Sequence, residues 1–278
     1  MTSEHGFFKA PDNEEIFYQC WLPKTQTRAA LIVVHGVAEH SGRYMNLVNV
    51  MVPDGYGVYA IDHYGHGRSG GKRLFVPSFD YFIQGLDTLV DRVKQWEPNK
   101  KCFLVGHSMG GLIAASYLLN HQDKVDGAVL SGPAVKVPDN ISVFTLWAAR
   151  IFSKLLPSLG IKQLEADSIS RDPEVVRAYV NDPLVSTGKL TARLGEQLLG
   201  ACLNLEKAAK RIQIPLYILQ GGSDTLVDPD GARKFHGAVA SVDKDLIVYP
   251  DRFHEIFNDP GNDEVFSDIR AWLDRHLT

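Results

Sequence analysis

The stretch that most limits how this chain can fold is Gly106-His107-Ser108-Met109-Gly110. It follows the apolar run of residues 102–105 and precedes the small, helix-forming run of residues 111–115, so a strand has to turn sharply into a helix at a serine. A G-x-S-x-G pentapeptide in that setting has the pattern of a nucleophile elbow. The turn holds the serine in a strained backbone conformation, and a Cβ at Gly106 or Gly110 would collide with a neighbouring strand or helix. Ser108 Oγ is then expected at the carboxyl end of its strand, with the first amides of the following helix beside it.

The remaining pattern supplies the frame such an elbow needs. Residues 29–34 form a continuous apolar run, as expected for a strand buried on both faces. Residues 16–22, 58–62, 127–131, 216–220 and 246–249 also read as strands. Phe79, Phe82, Ile83, Leu86, Leu89, Val90, Val93 and Trp96 recur at helical spacing, with Ser78 as N-cap. Val265, Phe266, Ile269, Trp272 and Leu273 mark one face of a last helix. Strands alternating with helices predict a mostly parallel central sheet flanked by helices. That rhythm stops after Pro133. Residues 136–211 carry helical patterns and no clear strand, cut by Pro138, Pro157, Pro173 and Pro183. We expect a first core segment over 1–135, a helical cap over 136–211 covering the carboxyl edge of the sheet, and a second core segment over 212–278.

Composition narrows the class. A net charge of -4 argues against a nucleic-acid partner. Cys20, Cys102 and Cys202 are widely spaced and form no C-x-x-C, which fits a reducing cytoplasm better than a disulfide framework. The first residues have neither the basic nor the apolar region of a signal peptide, and no apolar run reaches the roughly 18 residues of a membrane span.

A serine hydroxyl needs a general base, and the base needs an orienting carboxylate. His254 lies between the last strand and the last helix, where the chain order Ser, acid, His puts the base. His236 and His276 sit within helix patterns and read as surface residues, and His35 reads as a structural hydrogen-bonding residue. Asp224 comes directly off a strand end and is the expected acid, whereas Asp228, before Pro229, reads as a helix N-cap. The oxyanion needs donors. The amide of Met109 is one, and the amide of Val37 after the 29–34 strand is the other. Gly65-His66-Gly67-Arg68-Ser69-Gly70 matches a dinucleotide fingerprint in spelling, but no helix opens after it, so it reads as a tight loop. His and carboxylate spacing nowhere forms a metal site. Between Ile141 and Leu156 the cap is strongly apolar, which fits either a cap helix packed on the core or a partly exposed surface on which Trp147 and Phe152 line an acyl pocket or touch lipid.

With these residues in place, the sequence resembles the monoacylglycerol lipases of the α/β-hydrolase superfamily over nearly its whole length. The resemblance rests on residues 35–44 (HGVAEHSGRY), 62–69 (DHYGHGRS), 106–111, the cap stretch 181–185 (NDPLV) and 220–224 (QGGSD). It implies an α/β-hydrolase fold with a cap that meets membranes or micelles transiently. It also implies hydrolysis of a single fatty acyl ester of glycerol by Ser108, Asp224 and His254 without a cofactor, and oxyanion amides at Val37 and Met109. Glu39 and Arg43 match the family near the oxyanion loop, where they fix that loop or place the glycerol end. Val227 stands where the mammalian members carry a cysteine, and Phe257 where they carry a second histidine, so the chain looks more like a microbial member. A broader carboxylesterase or lysophospholipase with the same triad, and a silent binding module of the same fold, are the alternative readings.

Overall fold

Two five-residue runs without a polar side chain, ALIVV and GVYAI, form β3 (Ala30–Val34) and β4 (Gly57–Ile61), and every residue in them is buried. Such strands need cover on both faces, and the sheet they belong to receives it. In the computed structural model, described for residues 1–137, 143–163 and 165–277 with the side chains of 143–148 excepted, the main sheet has eight strands. Its order is β1 (Thr2–Lys9), β2 (Glu15–Leu22), β4, β3, β5 (Cys102–His107), β6 (Gly127–Ser131), β9 (Leu216–Gly221) and β10 (Lys244–Tyr249). Only β1 and β2 run antiparallel to their neighbours. Val34 pairs with Ile61 on one side and Gly106 on the other, and His107 pairs with Ser131. This register brings the loops after β3, β4, β5 and β6 out at one edge, which is where open α/β sheets place ligands.

Helices cover both faces. α2 (Asp80–Trp96) and α3 (Met109–His121) pack against one core, while α1 (Met45–Met51) and α8 (Asn262–Leu277) pack against the other through Leu47, Met51, Phe266, Ile269 and Trp272. The five apolar positions expected on one face of the last helix are all buried. α2 starts one residue later than its periodicity suggests. Phe79 holds the N-cap position, and Ser78 Oγ still accepts the Asp80 amide at 3.3 Å.

Between β6 and β9 the chain forms α4 (Val143–Leu155), α5 (Pro173–Asn181) and α6 (Ala192–Ala208). Pro173 begins α5 rather than breaking a helix, because Asp172 caps it by accepting the Glu174 amide. The expectation of an all-helical segment needs correction. β7 (Gly160–Gln163) and β8 (Lys189–Thr191) pair antiparallel with an irregular register. Their few residues are largely exposed and joined across distant chain, so no local alternation announces them. β1 carries no strand signal in the sequence for a related reason: an edge strand with mostly exposed side chains has no continuous apolar run. The segment contacts the chain that follows β3. The Ser186 amide donates to Ala38 O at 2.8 Å, and His40 Nε2 meets Asp182 at 2.9 Å. Among the described residues, no helix is long and apolar enough to cross a membrane.

Candidate active site

Ser108 lies between β5 and α3 at φ 54° and ψ -119°, outside the regions a side-chain-bearing residue ordinarily occupies. Its flanking glycines make this possible. A Cβ on Gly106 would approach Gly110 O to 2.6 Å, and one on Gly110 would collide with the Val34 carbonyl. The Ser108 backbone is held by its own N–H donating to Ser131 O and by Ala134 N–H donating to Ser108 O, both at 3.0 Å. The strained turn is thus anchored to β6 and to the chain that follows it.

Asp224 leaves the end of β9 and is saturated with donors. Its Oδ1 accepts the amides of Leu226 and Val227 at 2.9 Å, and Oδ2 accepts Gln220 Nε2 at 3.0 Å and His254 Nδ1 at 2.6 Å. Burial pushes this carboxyl up, but the His254 charge and these donors outweigh it and hold Asp224 below the usual carboxylate range. Donation from His254 Nδ1–H to Asp224 leaves Nε2 as the acceptor, the tautomer a base towards a serine requires. Burial pushes His254 down; Asp224, followed by Glu255 and Glu39, outweighs it, so the imidazole lies above the ordinary histidine value. The His107 ring packs against it at 4.7 Å between centroids, and burial lowers that second imidazole to about 4, so it adds no charge at neutral pH.

Ser108 and His254 both line a cavity of about 290 Å3 together with Val37, Glu39, Tyr179, Val227 and Glu255. Among the described residues no hydrogen bond joins the serine to the imidazole; such contacts commonly tighten only around substrate. A larger cavity of about 650 Å3 opens from Val37, Ser108 and Met109 and runs under the cap between Leu112, Phe152, Leu159, Ile161, Leu198 and Cys202. The walls there are almost wholly apolar. Phe152 is one of its walls and is also half exposed, while the Trp147 side chain lies outside the described residues.

Val37 and Met109 both line the long cavity beside Ser108, and among the described residues neither amide donates to a backbone carbonyl outside the helices and strands. Met109 opens α3, so its amide is one of the donors a helix start leaves unpaired. The loop carrying Val37 is fixed by Glu39. Its Oε1 accepts the Gly36 amide at 2.6 Å and the Tyr44 hydroxyl at 2.8 Å, and its Oε2 accepts Arg43 Nη1 at 2.9 Å. With its carboxylate committed in this way, Glu39 braces the loop. Arg43 lies behind that wall, bonded in a two-pronged pair to Glu255 at 2.6 and 2.7 Å and stacked over the Tyr179 ring at 4.6 Å.

His35 is structural. It meets Gly36 O through Nδ1 at 2.6 Å and accepts the His63 amide at 2.9 Å, and burial lowers it to about 4. Asp228 caps α7 (Pro229–Ala238) by accepting the Asp230 amide at 2.9 Å. His276, expected at the surface, is instead largely covered and bonded to Trp272 O and Asp243. The 65–70 loop opens no helix. Phe257 is buried against Phe266 and does not line either cavity. Glu255 and Tyr179 carry no motif of their own, and Gln220 figures only as the first residue of the 220–224 stretch, without a role. Only the position of Glu255 directly after His254 could have drawn attention to it.

A sequence family described as serine aminopeptidase, S33, matches residues 25–261. The chain is 38% identical over 275 residues to a monoacylglycerol lipase of Mycolicibacterium smegmatis, covering 99% of this chain and 98% of that one. It is 33% identical over 265 residues to the monoglyceride lipase of Homo sapiens, covering 94% and 88%. Among solved structures, the monoacylglycerol lipase of Paleococcus ferrophilus superposes with a TM-score of 0.82 at 31% identity, covering 99% of this chain and 100% of that one.

Proposed function

This chain belongs to the monoacylglycerol lipase family of the α/β hydrolases, and from that premise we propose that it cleaves monoacylglycerols to fatty acid and glycerol through an acyl-enzyme on Ser108. The observation that carries the reading is the pair of cavities meeting at Ser108, a long apolar one for a single acyl chain and a smaller, more polar one containing His254 for the alcohol.

In this mechanism His254 Nε2 takes the Ser108 proton as Oγ attacks the acyl carbonyl. The amides of Val37 and Met109 receive the oxyanion. The protonated imidazole, stabilised by Asp224, gives its proton to the departing glycerol oxygen. Water then enters, loses a proton to the same nitrogen and attacks the acyl-enzyme, which releases fatty acid and restores Ser108. No step calls for a metal or a cofactor. Release of glycerol and fatty acid from monoacylglycerols of graded chain length tests the assignment. Di- and triacylglycerol, a lysophospholipid and a short soluble ester run alongside, with Ser108→Ala as the blank. A serine-dependent preference for monoacylglycerols is expected; equal or better turnover of the short ester would make the protein a general esterase.

We read residues 136–211 as a cap that meets a lipid surface transiently. Phe152, Leu159 and Ile161 line the long cavity and are about half exposed, and Leu155 and Leu156, between them in the chain, are half exposed or more. Arg150, Lys154 and Lys162 accompany them, and residues 143–163 contain no acid. Leu155 and Leu156 do not line the cavity, so Leu155→Ser with Leu156→Ser separates adsorption from chemistry. Burying one leucine is worth about 1.5–3 kcal/mol, and about 1.4 kcal/mol is tenfold in binding. Turnover of vesicle-borne substrate should therefore fall about tenfold or more while monomeric substrate is unaffected. Equal losses on both would remove the interfacial role.

A further inference from the structure

Three loops converge on one buried guanidinium. Arg43 Nη1 donates to Glu39 Oε2 at 2.9 Å, and its two terminal nitrogens grip both oxygens of Glu255 at 2.6 and 2.7 Å. Glu39 reaches through its other oxygen to the Gly36 amide, one residue before Val37. Glu255 directly follows His254, receives Asn258 Nδ2 at 2.9 Å, and donates its own amide to Ile169 O in the cap at 2.8 Å. The Tyr179 ring of α5 closes the remaining side. One side chain therefore ties the oxyanion loop to the histidine loop and holds both against the cap. A lysine could not do this, because only a planar fork makes two parallel bonds to one carboxylate while a third contact reaches another.

Resting on the reading of His254 as the base, we propose that Arg43 is a positioning residue. Through Glu39 and Glu255 it locks the Val37 amide and the His254 imidazole into register with Ser108, and it supplies the positive charge set against the carboxylates that face the histidine. The charged and titratable groups around His254 are Asp224 from the loop after β9, His107 from β5, Glu39 and Arg43 from the segment after β3, and its neighbour Glu255. Tyr179 from α5 and Lys162 from β7 line the same cavity, the lysine with an exposed side chain. Glu255 and Glu39 both favour the imidazolium, and Arg43 holds Glu255 ionised.

The signs follow from the base having to be neutral. Removing Arg43 leaves two carboxylates uncompensated, which holds the proton on His254. Removing the Glu255 charge does the opposite. The test is the pH dependence of kcat/KM on a monomeric soluble ester, whose acid limb reports the free enzyme's base. Arg43→Met should move that limb to higher pH and Glu255→Gln to lower pH, each by about one unit, the scale expected of one charge a few ångströms away. Arg43→Lys keeps the charge and loses the fork; its limb should stay near that of the unsubstituted protein while the plateau kcat falls at least about tenfold with KM little changed. Should Arg43→Met fail to fold, the nearly isosteric Glu255→Gln and the charge-conserving Arg43→Lys still decide the matter. Unmoved limbs in every folded charge-removing variant, or full kcat in Arg43→Lys, would overturn the proposal. Full activity in His254→Ala would instead overturn the base assignment, and the proposal with it.

Discussion

Asp224→Asn should lower kcat by about four orders of magnitude while the far-ultraviolet circular dichroism spectrum stays that of the native fold. The loss comes from the tautomer. Asp224 Oδ2 accepts His254 Nδ1 at 2.6 Å, and the Leu226 and Val227 amides together with Gln220 Nε2 fix which way the carboxylate faces. An asparagine held by the same two backbone amides keeps its oxygen on them and turns its NH2 towards the imidazole. Nδ1 then becomes the acceptor, the proton moves to Nε2, and the ring can no longer take the Ser108 proton. The neighbouring Asp228 provides the contrast. It is half exposed, caps α7 and pairs with Lys136 at 2.5 Å. Asp228→Ala should leave kcat within about twofold while costing about 1 kcal/mol of stability, read as a drop of roughly 2–4 °C in Tm. A large activity loss in the Asp228 variant with an active Asp224→Asn protein would reverse the two roles.

The two aspartates also show what a sequence of this kind discloses. Both occupy positions whose local chemistry is readable: Asp224 at a strand end, and Asp228 before a proline that can begin a helix. The elbow is readable for the same reason, since a backbone turn this tight leaves no choice at Gly106 and Gly110. The central strands β3, β4, β5, β6 and β9 were legible because burial on both faces removes polar residues from them. Legibility fails where a structure depends on partners far away in the chain. β7 and β8 are held by pairing across the cap, and neither carries an apolar pattern of its own. Glu255 and Arg43 are 212 residues apart, so nothing in either neighbourhood announces the bond between them. His276 failed in the same way, because the cover it receives comes from packing that a helical periodicity does not describe. Glu39 and Arg43 are expected beside the oxyanion loop; what was missed at the site is the long-range part of its bracing, the Arg43–Glu255 pair, while the groups proposed for the chemistry sit on turns with strong local constraints.

Gly110→Ala should do more damage than its single methyl group suggests. Gly110 lies in the first turn of α3, where its Cα presses on the end of β3: an added Cβ would collide with the Val34 carbonyl and come within 2.6 Å of His35 O. Neither neighbour is a flexible side-chain end. Val34 O belongs to the parallel ladder between β3 and its neighbours, and His35 begins the loop that ends at Val37. The collision can be relieved only by moving α3 away from β3, and that displacement separates the Met109 amide from the Val37 amide. Losing one oxyanion donor costs about two to three orders of magnitude in kcat, and overpacking a closed backbone contact of this kind costs about 1–3 kcal/mol or more. Both losses are expected together, the first in turnover of a soluble ester and the second in denaturant midpoint. Gly200→Ala is the matched control, since a Cβ there meets nothing within 4 Å in the middle of α6. There the helix should gain about 0.5–1 kcal/mol, with activity unchanged. A Gly110→Ala protein as active and as stable as Gly200→Ala would show that α3 and β3 are not in the contact on which the oxyanion geometry depends.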